Sequence, residues 1–128
     1  MPNIQKILFP TSCSENAKKA FRYTLSMAKY FGASIDILHV CEPSIDILTP
    51  SVMRFQLLRE QKQIAEKRLA HWIKEFEIHN IPFHQEVEMG FAKDTIASFA
   101  NKAGDFDLIA MGTKDSNSLT KVIWGTVI

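Results

Sequence analysis

The chain has 128 residues, of which 46% are hydrophobic and 23% charged, and its formal net charge is +1. These values fit one globular domain with a buried core, and they exclude an intrinsically disordered chain. The near-zero charge and the scattered lysines and arginines predict no nucleic-acid partner, and no apolar run approaches the roughly 20 residues that span a bilayer.

The sequence contains two cysteines, Cys13 and Cys41, which do not form a C-x-x-C pair. Two cysteines cannot build a disulfide framework, and the first nine residues form a short polar lead into a strand, unlike a signal peptide. We therefore expect a cytoplasmic protein in a reducing compartment. Both cysteines follow predicted strands and could lie close together, but small apolar side chains are favoured over a redox pair.

The first predicted strand is the short apolar run Lys6–Pro10, which suits a strand buried on both faces. A helix start follows, where Ser12 and Glu15 have capping-box spacing and Ser14 could cap instead. Apolar residues then recur every three or four positions until Gly32, which predicts an amphipathic helix that ends at this glycine.

The next predicted elements are a strand over Ser34–Val40, a loop over Cys41–Pro50 and a long helix that ends at Asn80-Ile81-Pro82. The loop is unusually apolar, and we expect it to hang over a ligand crevice as a lid or partner surface. The predicted buried stripe of the long helix consists of Leu58, Ala65, Leu69, Trp72, Ile73 and Phe76. His39, on the strand, is expected to be a core residue and no metal ligand.

The remaining predicted elements are an edge strand over Phe83–Met89, a helix over roughly Asp94–Lys102 and a buried strand over Asp107–Met111. Strands that alternate with helices predict an α/β fold, a doubly wound parallel sheet with helices on both faces. We predict one domain that covers residues 1–128. An α/β sheet normally covers such a strand edge with a further helix, so we expect the domain to be incomplete at its C-terminus.

A ligand crevice is expected outside the carboxyl ends of the strands, where the strand order reverses. Three segments end strands at that edge: Pro10–Ser14, Val40–Pro43 and Gly112–Thr126. The last is rich in glycine and small polar residues, whose backbone N–H groups are good donors to an anion. These segments predict a binding site. No nucleophile–base pair, paired carboxylate or metal cluster argues for an enzyme.

Four segments of the chain carry a resemblance to a known family: residues 10–17 (PTSCSENA), 37–40 (ILHV), 89–90 (MG) and 107–113 (DLIAMGT). The first is similar to the opening P-T-D-x-S-E-N-A of the universal stress protein family, and the other three also match that family. The resemblance implies a stress-response regulatory domain with strand order 3-2-1-4-5, which forms a homodimer or is one half of a tandem protein. It also implies that this chain stops before the family's last helix and fifth strand.

Nucleotide-binding members of the family carry G-x-x-G, nine residues and then G-[S/T]. Gly112 matches the first glycine and Gly125-Thr126 match the last pair, but Asp115 replaces the second glycine. Ser12 stands where the family has an acidic residue, and Ser116 where it has a basic one. The candidate nucleotide-binding residues that the resemblance implies are Pro10, Thr11, Ser12, Val40, Met111, Gly112, Asp115, Gly125 and Thr126.

These departures leave the cofactor open between ATP or another adenine nucleotide with Mg²⁺ and no cofactor at all. A carboxylate about 4 Å from a phosphate oxygen costs roughly 4 kcal/mol at an effective dielectric constant near 20, so Asp115 predicts a weakened site in a domain that acts by binding or association. Alternatively, Asp115 bridges a metal to the phosphates in place of Ser12, which would make the chain an ATP/Mg²⁺-binding sensor. A slow ATPase is a further alternative.

Overall fold

The computed structural model describes residues 3–103, 106–113 and 121–125. Within these residues the chain forms five strands and three helices. In chain order they are β1 (Lys6–Pro10), α1 (Glu15–Phe31), β2 (Ser34–Cys41), α2 (Ser51–Ile73), β3 (Phe83–Met89), α3 (Ala92–Ala103), β4 (Leu108–Thr113) and β5 (Lys121–Gly125). None of the described helices is long and apolar enough to cross a membrane.

The strands form one sheet of order β3-β2-β1-β4-β5. β1 pairs in parallel with both β2 and β4, and β2 pairs in parallel with β3, so the predicted parallel order 3-2-1-4 is confirmed. β3 lies at an edge, as its alternating sequence predicts. The order reverses between β1 and β4, because the chain first adds strands on one side of β1 and then crosses to the other.

β5 differs from the prediction. The sequence places residues 121–125 inside a loop, whereas the structure pairs them antiparallel with β4, from Thr113 opposite Lys121 to Ile109 opposite Gly125. This run of Lys-Val-Ile-Trp-Gly has the β-branched and aromatic residues that favour a strand, and its pairing satisfies the backbone groups on the open edge of β4. Because β5 is antiparallel, it is not the parallel strand that the family resemblance implies after a further helix.

Helices cover both faces of the sheet, as predicted. On one face, α1 and α2 pack through an aromatic cluster in which the ring centroids of Phe9 and Phe21 are 4.9 Å apart and those of Phe21 and Trp72 are 5.3 Å apart. On the other face, Ala100 of α3 and Phe106 are buried with Leu8 and Leu38. Such closely packed apolar layers fix where the strand ends, and the loops after them, can lie.

The ends of the first two helices decide between two predicted caps and correct one predicted bound. Ser14, not Ser12, caps α1, since its Oγ accepts a hydrogen bond from the Ala17 N–H at 3.3 Å. α2 ends at Ile73 and not at Asn80. Phe76 and Ile78 lie against the core and Ile81 is buried, and residues at positions 76, 78 and 81 could not share one face of a continuing helix.

Candidate functional site

A cavity of about 230 Å³ lies at the carboxyl ends of β1, β2 and β4, where the strand order reverses. The β1–α1 turn, the first turn of α1 and helix α3 form its other walls. The described residues that line it are Pro10, Thr11, Ser12, Ser14, Asn16, Ala17, Leu38, Val40, Ala92, Ile96, Met111 and Gly112. None of these side chains is charged, so the described wall offers apolar surface, hydroxyls and one amide to a ligand.

Six of the candidate residues predicted from the sequence line this cavity: Pro10, Thr11, Ser12, Val40, Met111 and Gly112. Asp115 and Thr126 lie outside the described residues. Gly125 is the last residue of β5 and lies opposite Ile109, whereas Gly112 lies opposite Val122. The backbone register therefore separates Gly125 from Gly112 by three residues along β4, and the role of Gly125 stays a prediction.

The β1–α1 turn is held by the buried residue Thr11. Its N–H donates to the Leu38 carbonyl oxygen at 2.8 Å, and its Oγ1 accepts from the Cys13 N–H at 3.0 Å. Cys13 has a φ of 60°, a left-handed conformation that non-glycine residues seldom adopt outside tight turns. The turn sends the chain from the buried strand into α1 within four residues, and this brings the first turn of α1 to the cavity.

A hydrogen bond from α2 also fixes the start of α1. The indole Nε1–H of Trp72 on α2 donates to the Ser14 carbonyl oxygen at 3.1 Å, and the Ser12 and Ser14 hydroxyls are 2.8 Å apart. Ser12 is exposed and uncharged, so it cannot supply the carboxylate that the family resemblance implies at this position. Among the described residues, no group of three His, Cys, Asp or Glu side chains could hold a metal ion.

Gly90 positions helix α3 against the cavity. Its φ is 154°, and a Cβ at this position would overlap Oγ1 of Thr95 in the first turn of α3. Its N–H donates to the Cys41 carbonyl oxygen at 3.0 Å, which ties the start of α3 to the end of β2. Glycine therefore lets β3 pass directly into α3, and Ala92 and Ile96 reach the cavity wall.

His39 is buried, and its prediction as a core residue is confirmed. Its Nδ1 lies 2.8 Å from the carbonyl oxygen of Thr11. A carbonyl oxygen only accepts hydrogen bonds, so Nδ1 carries a proton, and the neutral form of the ring has its lone pair on Nε2. His39 thereby adds a third hydrogen bond to Thr11, from the face of the sheet that α1 and α2 cover.

The loop after β2 lies elsewhere than expected. Among the described lining residues of this cavity, none comes from residues 42–50. The side-chain amide of Gln61 on α2 accepts from the Ser44 N–H at 3.0 Å and donates to the Ser44 carbonyl oxygen at 2.6 Å. This pair of hydrogen bonds ties the loop to α2, on the other side of the sheet.

Six of the described lining residues are absent from the predicted candidates: Ser14, Asn16, Ala17, Leu38, Ala92 and Ile96. Leu38 precedes Val40 by two positions, so the period of a strand places both on one face. Asn16 lies in the first turn of a helix that begins at the predicted crevice. Ile96 lies on α3, and only the structure shows that it lines the ligand cavity.

The fold and cavity define a class of protein: a doubly wound α/β domain with a ligand cavity at its topological switch point. The sequence model of the Universal stress protein family matches residues 3–128. The universal stress protein MJ0531 of Methanocaldococcus jannaschii is 28% identical over 127 residues, which cover 96% of this chain and 72% of that protein. This chain belongs to the universal stress protein family.

Solved structures share the fold. The hypothetical protein MJ0577 superposes with a TM-score of 0.74 at 23% identity, over 92% of this chain and 81% of that one. The universal stress protein UspA from Lactobacillus plantarum gives a TM-score of 0.66 at 22% identity, over 92% and 83% of the two chains. A universal stress protein in complex with cAMP gives 0.51 at 16% identity, over 84% and 71%.

Proposed function

We propose that this universal stress protein acts by binding an adenine nucleotide mainly through the nucleoside end, in the cavity between β1, β2 and β4. The observation that carries the proposal is the absence of charged side chains from the described residues that line that cavity. Leu38, Val40 and Ile96 offer apolar surface to a base, while Ser12 and Asn16 at the cavity mouth offer polar groups to a ribose. No described lining side chain supplies a positive charge for a phosphate.

The size of the cavity also favours binding of the nucleoside over binding of the phosphates. Its volume of about 230 Å³ is below the roughly 300–1,000 Å³ that is usual for sites that enclose a whole drug-sized ligand. It suits a nucleoside better than a nucleoside with a chain of phosphates. A family member with the same fold is known in complex with cAMP, which contains an adenosine group, and this precedent favours an adenine ligand for the present chain.

The phosphates then add little to the affinity. Ser12 lacks the charge to hold a metal ion, and Asp115 would repel a nearby phosphate if it faced one. The competing hypothesis, that Asp115 bridges Mg²⁺ to the phosphates, predicts the opposite dependence: the phosphates and the metal together would raise the affinity strongly. The two hypotheses are therefore separated by comparing ligands with and without phosphates.

Calorimetric titration with adenosine, AMP, ATP and ATP with Mg²⁺ tests the proposal. We expect adenosine and ATP with Mg²⁺ to bind within about tenfold of each other, which is about 1.4 kcal/mol. A gain of a hundredfold or more for ATP with Mg²⁺ would support the bridging role of Asp115 instead. No heat with any of the four ligands at near-millimolar concentration would rule out nucleotide binding.

A matched pair of substitutions locates the site. Val40 lines the cavity and is half-buried, so Val40→Phe fills part of the space and should abolish adenosine binding. Val52, at the start of α2, is 86% exposed, so Val52→Phe makes the same chemical change away from the cavity and should leave binding unchanged. Circular dichroism verifies that both variants fold.

A further inference from the structure

A second cavity, of about 320 Å³, lies on the opposite face of the sheet. The residues that line it are His39, Cys41, Ser44, Gln61, Ile64, Ala65 and Arg68. Side chains alternate between the two faces of a strand, so Leu38 and Val40 of β2 line the first cavity while His39 and Cys41 line the second. The end of β2 thus carries two separate cavities.

The wall of the second cavity is already ordered. Gln61 on α2 holds both backbone groups of Ser44, at 3.0 and 2.6 Å, so the loop after β2 is fixed to the helix across a separation of 17 residues. Both polar atoms of the Gln61 amide are used in these hydrogen bonds, so Gln61 positions the wall of the cavity. A wall that is fixed before a ligand arrives lowers the entropy cost of binding.

His39 contributes an acceptor from a side chain that is largely buried. The side chain is 8% exposed, and its Nδ1–H donates to the Thr11 carbonyl oxygen at 2.8 Å. In the neutral form of the ring the lone pair is on Nε2, which forms no hydrogen bond with any side chain or backbone group of the described residues. A ligand in this cavity meets an imidazole that accepts a hydrogen bond in its neutral form.

Arg68 contributes a cation at the cavity mouth. Its side chain is exposed, and within the described part of the chain it makes no ion pair or hydrogen bond. A guanidinium group offers several N–H donors in a planar arrangement that matches a carboxylate. Ile64 and Ala65 lie four and three residues before Arg68 on the same helix and add an apolar wall.

We propose that the second cavity binds a small organic acid that also carries a hydroxyl or amino group. The carboxylate pairs with Arg68, the hydroxyl or amino group donates to Nε2 of His39, and the short carbon chain lies against Ile64 and Ala65. This site is distinct from the proposed nucleotide site, because the two cavities share no described lining residue.

Two probes that differ by a single hydroxyl test the assignment: malate and succinate. Cys41 lines the cavity and reports occupancy, since a bound ligand shields its thiol from iodoacetamide, and mass spectrometry follows the labelling. Cys13 interferes little, because burial raises the pKa of its thiol to about 11. The Cys41→Ser variant verifies which cysteine is labelled.

We expect malate to slow the labelling of Cys41 with an affinity about fivefold or more above that of succinate, as one added hydrogen bond provides. Arg68→Gln should remove the protection by malate, whereas Arg59→Gln, an exposed arginine of the same helix outside the cavity, should leave it intact. His39→Asn should reduce malate to the affinity of succinate.

Equal protection of Cys41 by malate and succinate would overturn the role of His39 as the acceptor for the hydroxyl. Equal effects of Arg68→Gln and Arg59→Gln would show that the protection comes from unspecific charge screening and would overturn the role of Arg68. No protection by either acid at tens of millimolar, with sodium chloride matched for ionic strength, would overturn the proposal as a whole. The labelling contains no nucleotide, so its failure is distinct from a failure of the nucleotide site.

Discussion

The imidazole of His39 donates from Nδ1 to the carbonyl oxygen of Thr11, with 2.8 Å between the two atoms. His39 lies on the face of the sheet that α1 and α2 cover, and Thr11 lines the cavity at the switch point. Pro10 pairs with Leu38 in the parallel register, so the ends of β1 and β2 are adjacent and this contact is short. The turn that shapes the proposed nucleotide site is thus held from the other face of the sheet.

Removal of the His39 donor should destabilise the domain. His39→Phe leaves the carbonyl oxygen of the buried Thr11 without this partner, which should lower the free energy of unfolding by about 1–3 kcal/mol. His39→Asn places an amide nitrogen near the position of Nδ1 and should cost less. Urea unfolding measures both variants, and equal losses would show that the hydrogen bond to Thr11 contributes nothing measurable.

A side chain at Gly90 should displace helix α3. Gly90→Ala combines an unfavourable φ of 154° with overlap of Thr95 Oγ1, and we expect a loss of about 2 kcal/mol or more in the free energy of unfolding. Gly32→Ala is the control for backbone strain alone, since its φ is 68° and the space around it is open.

The double variant Gly90→Ala/Thr95→Ala isolates the steric part, because it removes the overlapping hydroxyl but keeps the backbone strain. It should be more stable than Gly90→Ala in the same urea titration. If Gly90→Ala costs no more than Gly32→Ala, the contact with Thr95 does not restrict this position.

The pair of Lys18 and Glu75 should make stability depend on acid pH. Lys18 holds the pKa of the Glu75 carboxyl below its ordinary value of 4.5, chiefly by a hydrogen bond. The folded state therefore gains stability above pH 4.5 that is lost as the pH falls through the lowered pKa. Glu75→Gln should lower the Tm at pH 7 and leave it unchanged at a pH below the lowered pKa of Glu75. The same difference in Tm between variant and wild type at both pH values would contradict a stabilising ion pair between Lys18 and Glu75.

Cys13 should affect stability at alkaline pH. Burial raises the pKa of its thiol from 9.0 to about 11, with Arg68 acting weakly in the opposite direction. The unfolded chain loses this proton at lower pH than the folded chain, so stability should fall as the pH rises from 9 towards 11. In Cys13→Ala this part of the decrease should disappear from thermal melts, and an unchanged slope would contradict the burial of the thiol.

Local chemistry was sufficient to predict most of the elements. Lys6–Pro10 and Phe83–Met89 form strands with the predicted bounds, because proline and alternation mark them clearly. The end of α2 was missed, since Phe76 has helical spacing from Trp72 and only the tertiary fold carries it onto the core beyond the helix. β5 was missed because a strand of five residues is stabilised mainly by its pairing with β4. Local sequence propensity does not include that pairing.

The part of the candidate site that lies at the carboxyl ends of the strands was predictable from the sequence. Thr11, Val40 and Gly112 lie at the carboxyl ends of parallel strands, and the fold brings them to one edge. The second cavity was not predictable, because the contact between Ser44 and Gln61 spans 17 residues and the polar side chains of α2 predict only a solvent-facing surface. The tautomer of His39 likewise depends on a carbonyl oxygen from another strand.

The most direct test of the central claim, that the switch-point cavity binds the nucleoside end of an adenine nucleotide, is a titration of the isotopically labelled protein with adenosine, followed by amide chemical shifts. The account predicts that the largest shift changes occur at Thr11, Asn16, Val40 and Gly112, with Gln61 and Arg68 unaffected. Changes centred on the second cavity, or no saturable change at millimolar adenosine, would contradict it.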